Sequence, residues 1–297
     1  MESLACENNK RKIMAKIIDR KRLVPNIHMI EISAPGIVEK ARPGQFIILM
    51  PDKKGERIPL SLADWDEKKG SITCVFMAVG TSTQKLARLQ PGDDIPVCVG
   101  PLGKPAEIKK FGTVLCAGGC YGIGAIYPIA RALRQAGNTV MTLIDAKANY
   151  LIYWEDRFKK ISDNYFVSSR DGYFDCKDYI PKVLKEVLKE NKIDRVISIG
   201  CTYLMYTCSE ATRPLNIDTY VNLNPIMVDG TGMCGACRLK VGDSTQFACV
   251  DGPEFDGHLV DWNELFYRRK SYFDDEIRSL CYWERKVKPR KMTKEKR

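Results

Sequence analysis

Histidine is nearly absent from this chain: only His28 and His258 occur in 297 residues. A histidine-based catalytic triad and a histidine-rich metal site are therefore nearly excluded, because either needs imidazoles to spare. Long apolar runs are missing too. The longest, 114–130, is broken by Gly118, Gly119, Gly122 and Gly124, so no membrane span is expected there. The opening MESLACENNKRK has no apolar core and does not read as a secretory signal. Only one C-x2-C pair is present, whereas a zinc ribbon normally uses two. A net charge of +10 comes without a stacking platform or groove-reading motif, so nucleic acid is not the expected partner. Much of that charge is local. Residues 284–297 hold eight Lys/Arg and two Glu, a net +6, and read as a solvated basic end.

Cysteine, by contrast, is abundant. Twelve occur without an export signal, which points to a reducing, cytoplasmic setting. Three of them define the most informative stretch, MVDGTGMCGACRLKVGDSTQFACVDGP, at 227–253. Asp229, Cys234, Cys237 and Cys249 give D-x4-C-x2-C-x11-C. With Cys in the first place, the start would match the C-x4-C-x2-C run of [2Fe–2S] proteins. Gly230, Gly232 and Gly235 let the backbone wrap an inorganic core, since glycine reaches positive φ cheaply. A carboxylate keeps the thiolate's charge but is a harder ligand, so Asp229 as fourth ligand should shift the redox potential. The other possibilities are Asp229 as a loop cap and the three cysteines as buried core residues.

Residues 1–105 read as β. Runs at 16–19, 27–33, 45–50, 71–77 and 94–99 are strand-like and are punctuated by Pro25, Pro35-Gly36 and Pro43-Gly44. Short strands with few helical periods suggest a small antiparallel barrel. Two spots in it carry chemistry. Arg57-Ile-Pro-Leu-Ser61 offers a guanidinium fork for a pyrophosphate, with Pro59 holding Leu60 and Ser61 extended beside a flat ring. Val79-Gly-Thr-Ser-Thr83, followed by a helical period, suits a phosphate. Together they suggest a dinucleotide flavin, against a surface arginine and an ordinary Ser/Thr helix cap.

From 106 to 222 the pattern becomes β-α-β, the mark of a parallel sheet with its ligand at the strands' carboxyl ends. A strand at 113–116 runs into Gly118-Gly-Cys-Tyr-Gly-Ile-Gly124. A helix follows through Ile126, Ile129, Ala130 and Leu133, and then a strand at 139–144. Such a turn lets a cofactor's phosphates approach the backbone, although it is not a strict G-x-G-x-x-G. Asp145 could accept a ribose 2′-hydroxyl, favouring NAD, or be a solvated strand end; Lys147 and Lys159 could instead serve a 2′-phosphate. A strand at 165–168, a turn at 170–172, a helix at 179–190, a strand at 195–199 and a helix at 203–212 complete the unit.

In this order the pieces resemble the ferredoxin-NADP reductase superfamily. More narrowly they are similar to the electron-transfer subunit of dihydroorotate dehydrogenase. The runs LNPIMVDGTGMCGACR (223–238) and FACVDGPEFDGH (247–258) resemble most the small subunits of NADH-dependent ferredoxin:NADP oxidoreductases, also described as sulfide dehydrogenase β subunits. The likeness spans roughly residues 12–275, and Asp229 separates that group from the all-Cys dihydroorotate subunit. The resemblance implies an FAD-binding barrel over 1–105, an NAD(P)-binding α/β domain over 106–222, a [2Fe–2S] module over 223–262 and a helical, basic tail over 263–297. It places Arg57, Pro59, Leu60 and Ser61, then Phe76, Met77 and Ala78, beside the flavin, and Gly80, Ser82 and Thr83 at its phosphates. It assigns Gly118, Gly119, Gly122, Ile123 and Gly124 to the nucleotide loop, and Gly200, Cys201 and Met205 to the closure over NAD(H) or NADP(H).

Three departures stand out: Cys120-Tyr121 where Gly-Val or Gly-Ile is common, Asp145-Ala-Lys147 where an Ala-Arg pair often follows the strand, and GCTYLM for G-P-x-x-M-M. The implied activity is electron transfer. Hydride passes between nicotinamide and FAD, and single electrons pass through the cluster, with no side chain as acid or base. The implied partner is a larger flavin and iron–sulfur subunit, forming a heterodimer that couples NADH, NADPH and ferredoxin by bifurcation. The dihydroorotate system and a zinc-bearing interaction module without redox function are the other two readings.

Overall fold

The computed structural model describes residues 15–171 and 179–287. Cys6, Gly172, Cys176 and the basic end at 288–297 lie outside the described residues.

Seven strands form an antiparallel sheet: β1 (Ala15–Val24), β2 (Ile27–Ser33), β3 (Phe46–Met50), β4 (Ile58–Asp66), β5 (Ser71–Met77), β6 (Asp94–Ile95) and β7 (Val97–Leu102). Their order is β6-β1-β2-β5-β4-β3-β7. The two edges, β6 and β7, are separated in sequence by Pro96 alone. One interrupted strand thus borders both edges, and the sheet curls into a nearly closed barrel. Pro96 breaks what the sequence reads as a single strand because proline has no N–H for the ladder. Two short helices, α1 (Pro35–Val38) and α2 (Thr81–Leu86), lie between the strands. Where β4 stands, the sequence shows only an extended stretch near Pro59. The first part of β4 pairs with β3 and its remainder, from Leu62, with β5.

The second sheet draws on β8 (Thr113–Gly119), α3 (Gly122–Gln135), β9 (Thr139–Ala146), α4 (Glu155–Ile161) and β10 (Asn164–Ser169). It continues with α5 (Tyr179–Glu190), β11 (Arg195–Ile199), α6 (Thr202–Thr212) and β12 (Asp218–Asn222). Then come a hairpin of β13 (Arg238–Val241) and β14 (Ser244–Phe247), a strand β15 (Glu254–Asp256), and the helices α7 (Trp262–Arg268) and α8 (Phe273–Val287). The sheet order is β10-β9-β8-β11-β12-β15, with only β15 antiparallel to its neighbour. A strand from the expected cluster module therefore completes the nucleotide-type sheet.

Packing ties these parts together. Strand alternation in β3 turns Ile47 and Leu49 into the barrel core, with Ile30, Ile32, Leu62 and Ile72. Its other face, Phe46 and Ile48, joins Met205, Leu239, Trp262 and Leu265 in a separate cluster under the C-terminal module. Barrel residues Ala63 and Val75 share a third cluster with Ile126, Ile129 and Leu133 of α3. Among the described residues no helix is long and apolar enough to cross a membrane.

Candidate flavin and iron–sulfur site

A cavity of about 300 Å³ opens between the barrel and the parallel sheet. Pro59, Leu60, Ser61, Phe76 and Met77 line it from the barrel. Asn222, Leu223, Asn224, Pro225 and Met227, which leave the end of β12, line it from the other side. Most of these surfaces are apolar. One polar atom stands out: Asn222 is 8% exposed and its Oδ1 has no protein partner. An unpaired buried amide oxygen costs about 1–3 kcal/mol, which a donor on a ligand removes. Apolar faces with an N–H edge are what an isoalloxazine ring offers, so the residues present fit a flavin.

A second cavity, about 400 Å³, shares Val79 and Thr83 with the first. Gly80, Thr81 and Ser82 line it. Thr83 orders this turn: its Oγ1 accepts from the Val79 and Gly80 N–H groups at 3.1 and 3.0 Å, and donates to the Gly80 carbonyl at 3.0 Å. Ser82 is buried and donates to Glu56 Oε2 at 3.4 Å. Arg57 is exposed at the start of β4. Ala78 is buried in the barrel core; its backbone bonds to Asn26 and Gln84 instead of lining either cavity.

The glycine-rich turn joins β8 to α3, and β8 runs on through Gly118 and Gly119. A side chain on Gly122 would meet the Ile199 carbonyl oxygen at 2.2 Å, so this glycine lets α3 start hard against β11. Tyr153, which no motif pointed to, anchors the turn. Its hydroxyl accepts from Gly124 N–H at 3.0 Å and donates to the Cys120 carbonyl at 2.9 Å. Tyr121 reaches into the flavin-sized cavity and donates to the Gly200 carbonyl at 2.9 Å. Asn224 donates to both the Tyr121 oxygen and Gly200, while Arg269 of the C-terminal region reaches Thr202 and lines the same cavity. Burial pushes the Tyr121 phenol up from its usual range.

Some expected nucleotide residues lie elsewhere. Ile123 and Met205 are fully buried core side chains, as the inward face of α3 and the cluster under β3 require. Asp145 is not a solvated strand end: it is 6% exposed, accepts from Ser168 Oγ at 2.9 Å, and burial raises its carboxyl. Lys159 is paired with Glu155 at 2.7 Å, and Lys147 is exposed. Cys201 caps α6, its sulfur accepting from Leu204 N–H at 3.4 Å. Asn222 and Asn224 were findable from their place beyond a parallel strand's carboxyl end. Tyr153 and Arg269 carry no local signal.

The cysteine stretch folds as a tight loop, with Gly230, Gly232 and Gly235 all at positive φ. Gly230 also lies where a side chain would touch Ile48 and Leu102 of the barrel at 2.7 and 2.9 Å. Cys237 and Cys249 are free, buried thiols with sulfurs 3.2 Å apart. Cys234 is exposed. The two Asp229 oxygens accept from Thr231 N–H at 2.8 Å and Cys234 N–H at 3.0 Å. These backbone bonds, Thr231 first, hold its carboxyl below the usual range. Burial and the neighbouring Cys237 sulfur push the Cys249 thiol up, so a cationic metal core is what would deprotonate it. Among the described residues, no three His, Cys, Asp or Glu side chains converge on one ion position. The donors are grouped two and two, and an acidic oxygen with three sulfurs fits an iron–sulfur centre in chemistry.

A curled antiparallel barrel, a parallel sheet with a glycine-rich turn and a thiol-bearing loop against both define an electron-transfer oxidoreductase subunit of the ferredoxin-NADP reductase superfamily, built for a flavin and an iron–sulfur cluster. The sequence profile described as "Iron-sulfur cluster binding domain of dihydroorotate dehydrogenase B" matches residues 224–261. A Thermotoga maritima protein named "Dihydroorotate dehydrogenase B (NAD(+)), electron transfer subunit homolog" is 41% identical over 88% of this chain and 92% of its own. An uncharacterized Clostridium beijerinckii protein from the adh 3′ region is 42% identical over 89% of this chain and 92% of its own. The chain thus belongs to the family of dihydroorotate dehydrogenase B electron-transfer subunits and their homologues. A solved chain of an NADH-dependent reduced ferredoxin-NADP oxidoreductase superposes with a TM-score of 0.85 at 40% identity, covering 93% of this chain and 98% of that one. Phthalate dioxygenase reductase, at a TM-score of 0.55 and 15% identity over 77% of this chain and 86% of its own, shares the fold.

Proposed function

We propose that this chain is the FAD- and [2Fe–2S]-carrying subunit of an NAD(P)H-dependent ferredoxin:NADP oxidoreductase, paired with a larger flavin and iron–sulfur subunit. One observation carries the reading. A single segment, 222–229, supplies both a wall of the flavin-sized cavity and, two residues after Met227, the first donor of the cluster loop. Bound FAD would exchange hydride with a nicotinamide and pass electrons singly to the cluster. The chain's own residues hold the ring between Pro59–Ser61 and 222–227, keep water out with Phe76, Leu223 and Met227, and offer it the free Asn222 oxygen. Tyr121, Asn224 and Gly200 form the bonded rim for the nicotinamide, and the turn carrying Gly118, Gly119, Gly122 and Gly124 is the place for its phosphates. Asp229, Cys234, Cys237 and Cys249 would hold the cluster, with the Cys237 and Cys249 sulfurs already side by side.

The dihydroorotate system is the second reading, favoured by the family profile over 224–261. Anaerobic purification from the native cell separates the two. The proposal expects a larger flavoprotein in equal amount, bound FAD, about two irons per chain of this subunit and a binuclear iron signal on reduction. Co-purification with a dihydroorotate-oxidising subunit replaces it with the second reading. A colourless protein holding zinc and no flavin would remove both.

A further inference from the structure

One wall of the second cavity is α8, whose Phe273, Glu276, Ile277 and Leu280 face residues 80–83 across about 400 Å³. An amphipathic helix normally draws its stability from burying its apolar stripe. None of the residues of α8 is buried, and Phe273 and Ile277 are 58% and 45% exposed. The helix is pinned at other points. Ser279 Oγ lies 2.9 Å from Thr81 Oγ1, and the Arg88 guanidinium sits 4.6 Å over the Trp283 ring. The stripe is thus held over a void, and that void continues into the flavin-sized cavity past Val79 and Thr83.

We propose that α8 is the outer wall for the adenosine end of FAD; the inference rests on the flavin reading above. Adenosine has an apolar ring face, an amino donor and two ribose hydroxyls. Ile277, Leu280 and Phe273 supply apolar contact for the ring. Glu56 and Glu276 line the same cavity and can accept from the amino and hydroxyl groups. Two carboxylates disfavour the diphosphate between them, which leaves it towards Thr83, at the junction of the two cavities.

FMN tests this, because it shares the ring and one phosphate but lacks the adenosine. Flavin-depleted full-length chain is titrated with FAD and with FMN, following flavin fluorescence. In the double variant Ile277→Ala/Leu280→Ala the FAD Kd rises about tenfold, while the FMN Kd is unchanged. A chain ending at Ser271 binds FAD and FMN alike. An unchanged FAD Kd in the double variant overturns the inference, and points to α8 as a surface for a protein partner. Equal weakening of both flavins also overturns it, since that marks a general loss of folding. If the unaltered chain binds neither flavin, the flavin reading itself is wrong.

Discussion

Replacing Gly122 with alanine should separate the nucleotide turn from the sheet beneath it. The added carbon would lie 2.2 Å from the Ile199 oxygen, 2.5 Å from its carbonyl carbon and 2.7 Å from Gly200 Cα. Ordinary contact begins near 3.4 Å, so α3 and the end of β11 must part by more than 1 Å. All three obstacles are backbone atoms, and no rotamer change relieves them. Overpacking typically costs about 1–3 kcal/mol, and a rigid backbone obstacle belongs at the upper end. For a chain of this size a loss of about 3 kcal/mol lowers Tm by roughly 6–12 °C. The same displacement pulls Tyr121 from Gly200, so NADH binding weakens with stability. Circular-dichroism melts and NADH titration measure both. Gly36→Ala is the control: it has ordinary φ and nothing within 4 Å of the added carbon, and should change stability by no more than about 0.5 kcal/mol. A Gly122→Ala protein with unaltered Tm and unaltered NADH affinity would refute the packing argument.

Tyr153→Phe strands the Gly124 N–H and leaves the Cys120 carbonyl only its 3.3 Å bond from Ile123 N–H, for a loss of about 1–3 kcal/mol by urea denaturation and weaker NADH binding; equal stability would show the anchor to be unimportant. Glu254 is held up to about 7 by burial, against the pull of Arg195, and its Oε2 is buried without a partner. Since its folded pKa lies above the unfolded value of 4.5, its contribution is complete below 4.5 and is lost as pH rises through about 7. Glu254→Gln should remove the part of that fall between melts at pH 5.5 and pH 8, on the order of 2 kcal/mol; an unchanged pH profile contradicts it. Asp229→Cys should retain iron and move the cluster potential in a redox titration followed by low-temperature EPR. Complete loss of iron from that variant, still folded, removes Asp229 from the ligand set.

The barrel and the parallel sheet were legible because their strands carry period-2 or continuous apolar runs bounded by Gly and Pro. Residues 94–99 read as one strand in sequence because the ladder break at Pro96 shows only once both edges are placed. β4 hid behind Pro59 and its polar residues Asp64 and Asp66, and α4 behind a charged seven-residue stretch with the single buried Phe158. The thiol loop stood out through its D-x4-C-x2-C-x11-C spacing, whose single C-x2-C pair sets it apart from a zinc ribbon, and the family profile covers it. What spacing could not show is depth. Ile123 and Met205 sit inside motifs yet point into cores, while Tyr153 and Arg269 reach the site from positions with no motif. Side-chain direction depends on partners distant in sequence.

Strand β3 is a party wall between two compartments. Odd-numbered residues 47 and 49 belong to the flavin barrel, and even-numbered 46 and 48 to the packing under the thiol loop. Parity therefore sorts the effects of mutation. A truncation at an even position disturbs the surroundings of the sulfurs from behind, and its odd-numbered neighbour loosens the barrel instead. Four consecutive residues thus address two neighbourhoods separately.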